Sequence, residues 1–151
     1  MRRLALLLVI AFVAAGCMGG DEEGVSTADY IAKADGVCGA HQVRLSRIPR
    51  PTTSEPAELG IFLERALPIA REQLDELQDL PKPSNEDDRA RIDRLLTLLE
   101  QELELNEAAQ EAAQGGDAQA ANGALQEGAP LSAEANQLAE ELGFIVCARR
   151  A

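Results

Sequence analysis

Residues 84–116 read SNEDDRARIDRLLTLLEQELELNEAAQEAAQGG, and the spacing within them decides the fold. Ile92, Leu96, Leu99 and Leu103 recur every three or four residues, the period that places side chains on one face of a helix. A second stripe of Leu95, Leu98, Leu105 and Ala109 is offset by about a quarter turn, so this helix is predicted to touch two neighbours. Ser84 with Asp87 three residues on has capping-box spacing, and Glu86, Asp87 and Asp88 crowd the positive end of the helix dipole. Gly115-Gly116 stops the run.

The flanking segments follow the same period. Upstream, Ser26 and Asp29 open a helix carrying Tyr30, Ala34, Val37, Cys38, His41, Leu45 and Ile48, which Pro49-Arg50-Pro51 ends. A second helix starts near Ser54 and carries Leu59, Leu63, Ala66, Ala70, Leu74, Leu77 and Leu80 as far as Pro81-Lys82-Pro83. Pro68 lies inside it and is expected to bend it without ending it, because the stripe continues in phase. Downstream, Asp117 caps a fourth helix whose inward residues are mostly small: Ala118, Ala121, Leu125, Gly128, Ala135, Leu138 and Leu142. Gly128-Ala129-Pro130 is expected to kink or split it, and Gly143 before Phe144 fits a Schellman ending. No run reads as a strand between turn signals, apart from the brief Phe144 to Val146. With connections of about 2 to 8 residues, the expectation is all-α: an up-down-up-down four-helix bundle with kinked second and fourth helices.

Composition agrees with a single folded domain. The chain has 151 residues, 46% apolar and 26% charged, with a net charge of -12. Acids outnumber bases by 26 to 14, which argues against nucleic acid, since phosphate binding draws on Lys and Arg.

The amino terminus reads as an address. Arg2 and Arg3 precede an apolar run from Leu4 to Val13, about half the roughly 20 residues that span a bilayer, followed by Ala14, Ala15 and Gly16. The junction Ala14-Ala15-Gly16-Cys17 resembles the lipobox of bacterial lipoproteins, although Ala14 stands where Leu is usual. That resemblance implies cleavage before Cys17 and a diacylglycerol on its thiol. The alternative is an ordinary secretory cut near Ala15 or Gly16 that leaves Cys17 free. On the first reading, residues 1–16 are signal peptide, 17–25 a lipidated cysteine and Gly- and acid-rich tether, and 26–151 the helical domain. The mature chain keeps 12 basic and 26 acidic residues, a net charge of -14, so the covalent lipid must supply the attachment to the membrane, facing outside the cytoplasm. The remainder is similar to Ala/Leu-rich helical lipoprotein domains with one cysteine in the first helix and another in a Leu142-Gly143-Phe144-Ile145-Val146-Cys147 ending; this likeness implies no activity.

With Cys17 assigned to lipid, Cys38 and Cys147 remain as an even pair in an oxidising compartment, and a disulfide is expected between them. It would enclose about 108 positions, for which loop entropy gives about 4.7 kcal/mol. A redox-active pair is the alternative, but it usually shows Cys-x-x-Cys spacing at a helix start.

A search for chemistry returns absences. His41 is the one histidine, and no Gly-x-Ser-x-Gly, Ser-x-x-Lys, His-Glu-x-x-His, phosphate-cradling or calcium-loop motif occurs. No catalytic residue, metal site or cofactor is therefore expected. His41 lies on the apolar stripe and reads as a hydrogen-bonded packing residue, with an axial haem ligand as the alternative. Asn106 and Gln110 continue the inward face of the third helix. They either line a small polar pocket or meet water where that helix outruns its partners. The functional expectation is a noncatalytic, lipid-anchored interaction or scaffold module of unknown protein partner. A bundle holding a small ligand or cation between kinked helices is the alternative.

Overall fold

The computed structural model describes residues 24–53 and 55–149. The signal segment 1–16, Cys17, residues 18–23 of the tether and Ser54 lie outside the described residues. Four helices account for most of the domain: α1 (Thr27–Leu45), α2 (Pro56–Gln78), α3 (Glu86–Gln114) and α4 (Ala118–Leu142). Among the described residues there is no strand, only one isolated bridge between Val25 and Pro83. No helix among them is long and apolar enough to cross a membrane.

The helix ends follow local chemistry. The Ser26 hydroxyl accepts from the Asp29 amide, and Asp117 accepts from the Ala120 amide. α3 begins one residue later than its sequence suggests, because Asn85 rather than Ser84 takes the cap and accepts from the Asp88 amide. α2 has no side-chain cap. Pro56 fills its first turn, where a missing N–H costs nothing, and Glu58 reaches back to accept from the amides of Thr52 and Thr53 at 2.9 and 3.0 Å. Gly143 sits at φ 94°, with its own amide on Glu140 O and the Phe144 amide on Ala139 O, the bond pair of a Schellman ending. Pro68 and Pro130 both lie inside continuous helices, so α4 is not split.

α3 is the central element, packed on α2 and on α4. Lys82 meets Asp93, Arg71 meets Glu107, and Gly60 lies against Gln114, so α2 is descended as α3 is climbed. On the other side Arg91 meets Glu141, Arg94 meets Glu134, and Ser132 donates to Glu102 at 3.0 Å. The buried residues separate into two groups. The larger joins Tyr30, Ala34 and Cys38 of α1 to Leu74, Leu77, Ile92, Leu95, Leu96, Leu98, Ala135, Ala139 and the carboxy-terminal tail. The smaller, built on Leu63, Leu67 and Ala109 with Phe62, Leu103 and Leu125, contains no residue of α1. One half of the core is thus built by four helices and the other by three.

The chain enters this structure before the expected domain start. Val25 packs against the larger core group, and its carbonyl accepts from the Ser84 amide at 3.1 Å. Gly24 lies so close to the Lys82–Ser84 turn that a Cβ there would stand 2.9 Å from the Ser84 nitrogen, a separation only glycine allows. Thr27 then donates to Asp88 at 2.7 Å, tying the start of α1 to the start of α3.

Candidate functional site

Cys38 and Cys147 form the expected disulfide, with Cα atoms 5.3 Å apart and a sequence separation of 109. The tail that carries Cys147 is held by more than sulfur. The Asp35 carboxylate, one turn before Cys38 on α1, accepts from the amides of Ile145, Val146 and Cys147, each at 2.9 Å. Gln42, one turn after it, donates from Nε2 to the Val146 carbonyl at 3.0 Å. Phe144 turns inward and meets Tyr30 edge to face, ring centroids 6.4 Å apart. The brief segment Phe144 to Val146 is therefore no strand. Its Phe144 amide closes the end of α4, and those of Ile145 and Val146 are spent on a carboxylate.

His41 occupies the adjoining turn and is only 2% exposed. Its Nδ1 lies 3.0 Å from the Val37 carbonyl, which has no proton to give, so Nδ1 carries the hydrogen and donates it. The packing role expected for His41 therefore accounts for one ring nitrogen and not the other. Nε2 is buried without a hydrogen-bond partner and faces α2, where the nearest Glu76 carboxylate oxygen stands 3.7 Å away. Glu72, one turn earlier on α2, completes a group whose three ligand atoms lie within 4.8 Å of one another. Arg44 reaches the same group and pairs with Glu72 Oε2 at 2.6 Å.

Two further features lie elsewhere. A cavity of about 20 Å³ sits beside the disulfide among Tyr30, Leu77, Leu96 and Phe144, far below the roughly 300 Å³ at which organic ligand sites begin. An open surface groove of about 420 Å³ runs between the first turns of α2 and the last turns of α3, lined by Pro56, Gly60, Ile61, Ala113 and Gln114. Asn106 and Gln110 line neither. α3 does not outrun its partners there, since Ala109 and Ala113 are buried and carry the inward face, with Asn106 and Gln110 half-buried beside it.

Two described groups have clearly displaced titration, and both are structural. Burial, with the Asp93 charge nearby, pushes the Tyr30 hydroxyl up to about 12, and that hydroxyl faces the Leu77 carbonyl at 3.4 Å. The amides of Thr52 and Thr53 hold the Glu58 carboxyl below its ordinary value.

Sequence reasoning missed Asp35, Glu72 and Glu76. Asp35 falls on the same side of α1 as Cys38, three residues away, which is a usable signal once the tail is known to dock there. Nothing in the spacing of α2 says which of its acids face His41, because that depends on how α1 crosses α2. Comparison of the chain with protein-family models, with curated proteins and with solved structures finds no match.

Proposed function

We propose that the chain is a lipid-anchored protein of the cell envelope, whose helical domain works by binding and positioning and not by catalysis. The observation that carries this reading is the Cys38–Cys147 disulfide, buried within a docked tail, since such bonds persist in oxidising compartments and not in a reducing cytosol. The basic start, apolar run and Ala14-Ala15-Gly16-Cys17 junction support it by supplying a route out of the cytosol and an acceptor for lipid. Net charge supports it too, because so acidic a domain needs a covalent anchor to stay at an anionic surface. Tyr30 and Glu58 are spent on packing and on a turn, which favours a noncatalytic role. In this account the tether enters at Gly24 beside the start of α3. The groove at Ala113 and Gln114 lies at the other end of that helix, about 40 Å away at 1.5 Å per residue.

The test is expression of the full chain in a bacterium with lipoprotein processing, beside Cys17→Ser. The parent should fractionate with membranes and enter the detergent phase, and Cys17→Ser should be released; an aqueous parent would refute the reading. A second reading, a cation-holding bundle at the membrane surface, is favoured by one observation, the His41 corner. Its apolar-ligand form draws little support from the 20 Å³ cavity beside the disulfide.

A further inference from the structure

A buried lone pair that faces two carboxylates is an unbalanced arrangement. In neutral His41, with its hydrogen on Nδ1, the Nε2 lone pair is stripped of water and directed toward Glu76 and Glu72, while Arg44, the cation that reaches this corner, pairs with Glu72 Oε2 and leaves Nε2 without a partner. Two species restore the balance: a proton on Nε2, or a metal cation shared by all three groups. At 3.7 Å the Glu76 oxygen stands beyond hydrogen-bond reach of Nε2, whereas ligand atoms around a tetrahedral ion with bonds of about 2.0 to 2.1 Å stand about 3.4 Å apart. The three ligand atoms, within 4.8 Å of one another, reach that spacing by movement of the carboxylates. His41 is fixed in the core, while the Glu72 and Glu76 side chains are 49% and 48% exposed, so Glu76 can rotate inward and Glu72 can do so by sharing or releasing Arg44.

We propose that His41, Glu72 and Glu76 form a binding site for a divalent first-row transition cation that bridges α1 and α2. The contact between Nδ1–H and the Val37 carbonyl is the kind of outer hydrogen bond that fixes the tautomer and ring angle of ligating histidines. Glu72 and Glu76 are four residues apart on α2, the spacing that puts two side chains on one helix face. One imidazole nitrogen with two carboxylates suits Zn²⁺, Co²⁺ or Ni²⁺ and is a poor match for Ca²⁺ or Mg²⁺, which take oxygen ligands. Arg44 is the competitor. Its guanidinium holds Oε2 of Glu72, leaving the other oxygen for the ion and opposing it by charge. The remaining coordination positions lie on the exposed side of the carboxylates and go to water. The site is made by the domain alone and stands whether or not Cys17 carries lipid.

The experiment is calorimetric titration of Zn²⁺ into the full chain, disulfide intact, after treatment with chelator and its removal. One equivalent should bind, and Co²⁺ should give the visible absorption of a low-coordinate nitrogen and oxygen site. Glu76→Gln and Glu72→Gln, at half-exposed positions that leave the core untouched, should each weaken binding at least tenfold. His41→Gln should abolish it, with helix content measured alongside because His41 is buried. Arg44→Gln should tighten binding by releasing Glu72. No stoichiometric Zn²⁺ binding by the parent would overturn the proposal and leave the proton as the balancing charge. Parent-like affinity in both glutamate variants, or weaker binding in Arg44→Gln, would equally overturn it.

Discussion

Removing the Asp35 carboxylate should cost more than any other single change at the surface of the domain. Asp35→Ala deletes three backbone bonds at once, to Ile145, Val146 and Cys147, each at 2.9 Å. Hydrogen bonds to a charged group contribute about 1.5 to 3 kcal/mol each. The three are not independent, because Oδ1 serves both Val146 and Cys147, and Ile145 is 64% exposed, so its amide regains water. Allowing for sharing and hydration, the total is about 3 to 4 kcal/mol, a large share of a marginal domain stability. Urea unfolding followed by helix circular dichroism measures it, with the disulfide oxidised in every sample. Amide hydrogen exchange should show Val146 and Cys147 losing about a hundredfold of protection, the equivalent of roughly 2.7 kcal/mol. Asp35→Asn keeps one oxygen for two of the three amides and should recover about half the loss. If Asp35→Ala lies within about 1 kcal/mol of the parent and the tail amides stay protected, the carboxylate does not anchor the tail.

Other perturbations have equally definite outcomes. Replacing both Cys38 and Cys147 by Ala should destabilise the domain by up to about 4.7 kcal/mol from loop entropy, read as a lower urea midpoint with the helices retained. That loss should not add fully to Asp35→Ala, since both changes free the same tail. For Tyr30 the folded value of about 12 lies above the ordinary 10.0, so the unfolded chain loses its proton first. The contribution of Tyr30 is complete below pH 10 and declines as pH rises toward 12, and Tyr30→Phe should remove that part of the alkaline slope in unfolding midpoint. Gly24→Ala should undock the incoming chain, because its Cβ meets backbone at 2.9 Å, and the Ser84 amide should exchange faster while the four helices persist.

The fold was legible because its signals are local. Stripes at helical spacing, Pro49 and Pro51, Gly115-Gly116, Asp117 and Gly143 each act within one or two turns, and all four helices form on these stripes, although α1 ends at Leu45, short of Ile48, and α2 at Gln78, short of Leu80. Ser84 was misjudged against Asn85 because two adjacent residues can both cap and only backbone direction chooses. Spacing could not reveal that α1 covers one half of the core. That follows from a crossing between helices, which periodicity does not encode. The disulfide was legible from the even cysteine count after the lipobox, whereas Asp35 was not, because a carboxylate that binds three amides 110 to 112 residues away leaves no local trace. The burial of His41 was legible in its stripe, and the acids opposite it were not, since the pairing of α1 with α2 sets that corner.

The intact mass of the chain recovered from bacterial membranes, measured with and without reductant, reads the lipid on Cys17 and the Cys38–Cys147 bond together. A lipid-anchored, disulfide-clasped protein gives a chain that begins at Cys17, carries a diacylglycerol, and gains the mass of two hydrogens on reduction as the Cys38–Cys147 bond opens. A chain still bearing residues 1–16, a Cys17 without lipid, or a mass unchanged by reductant would rule that protein out.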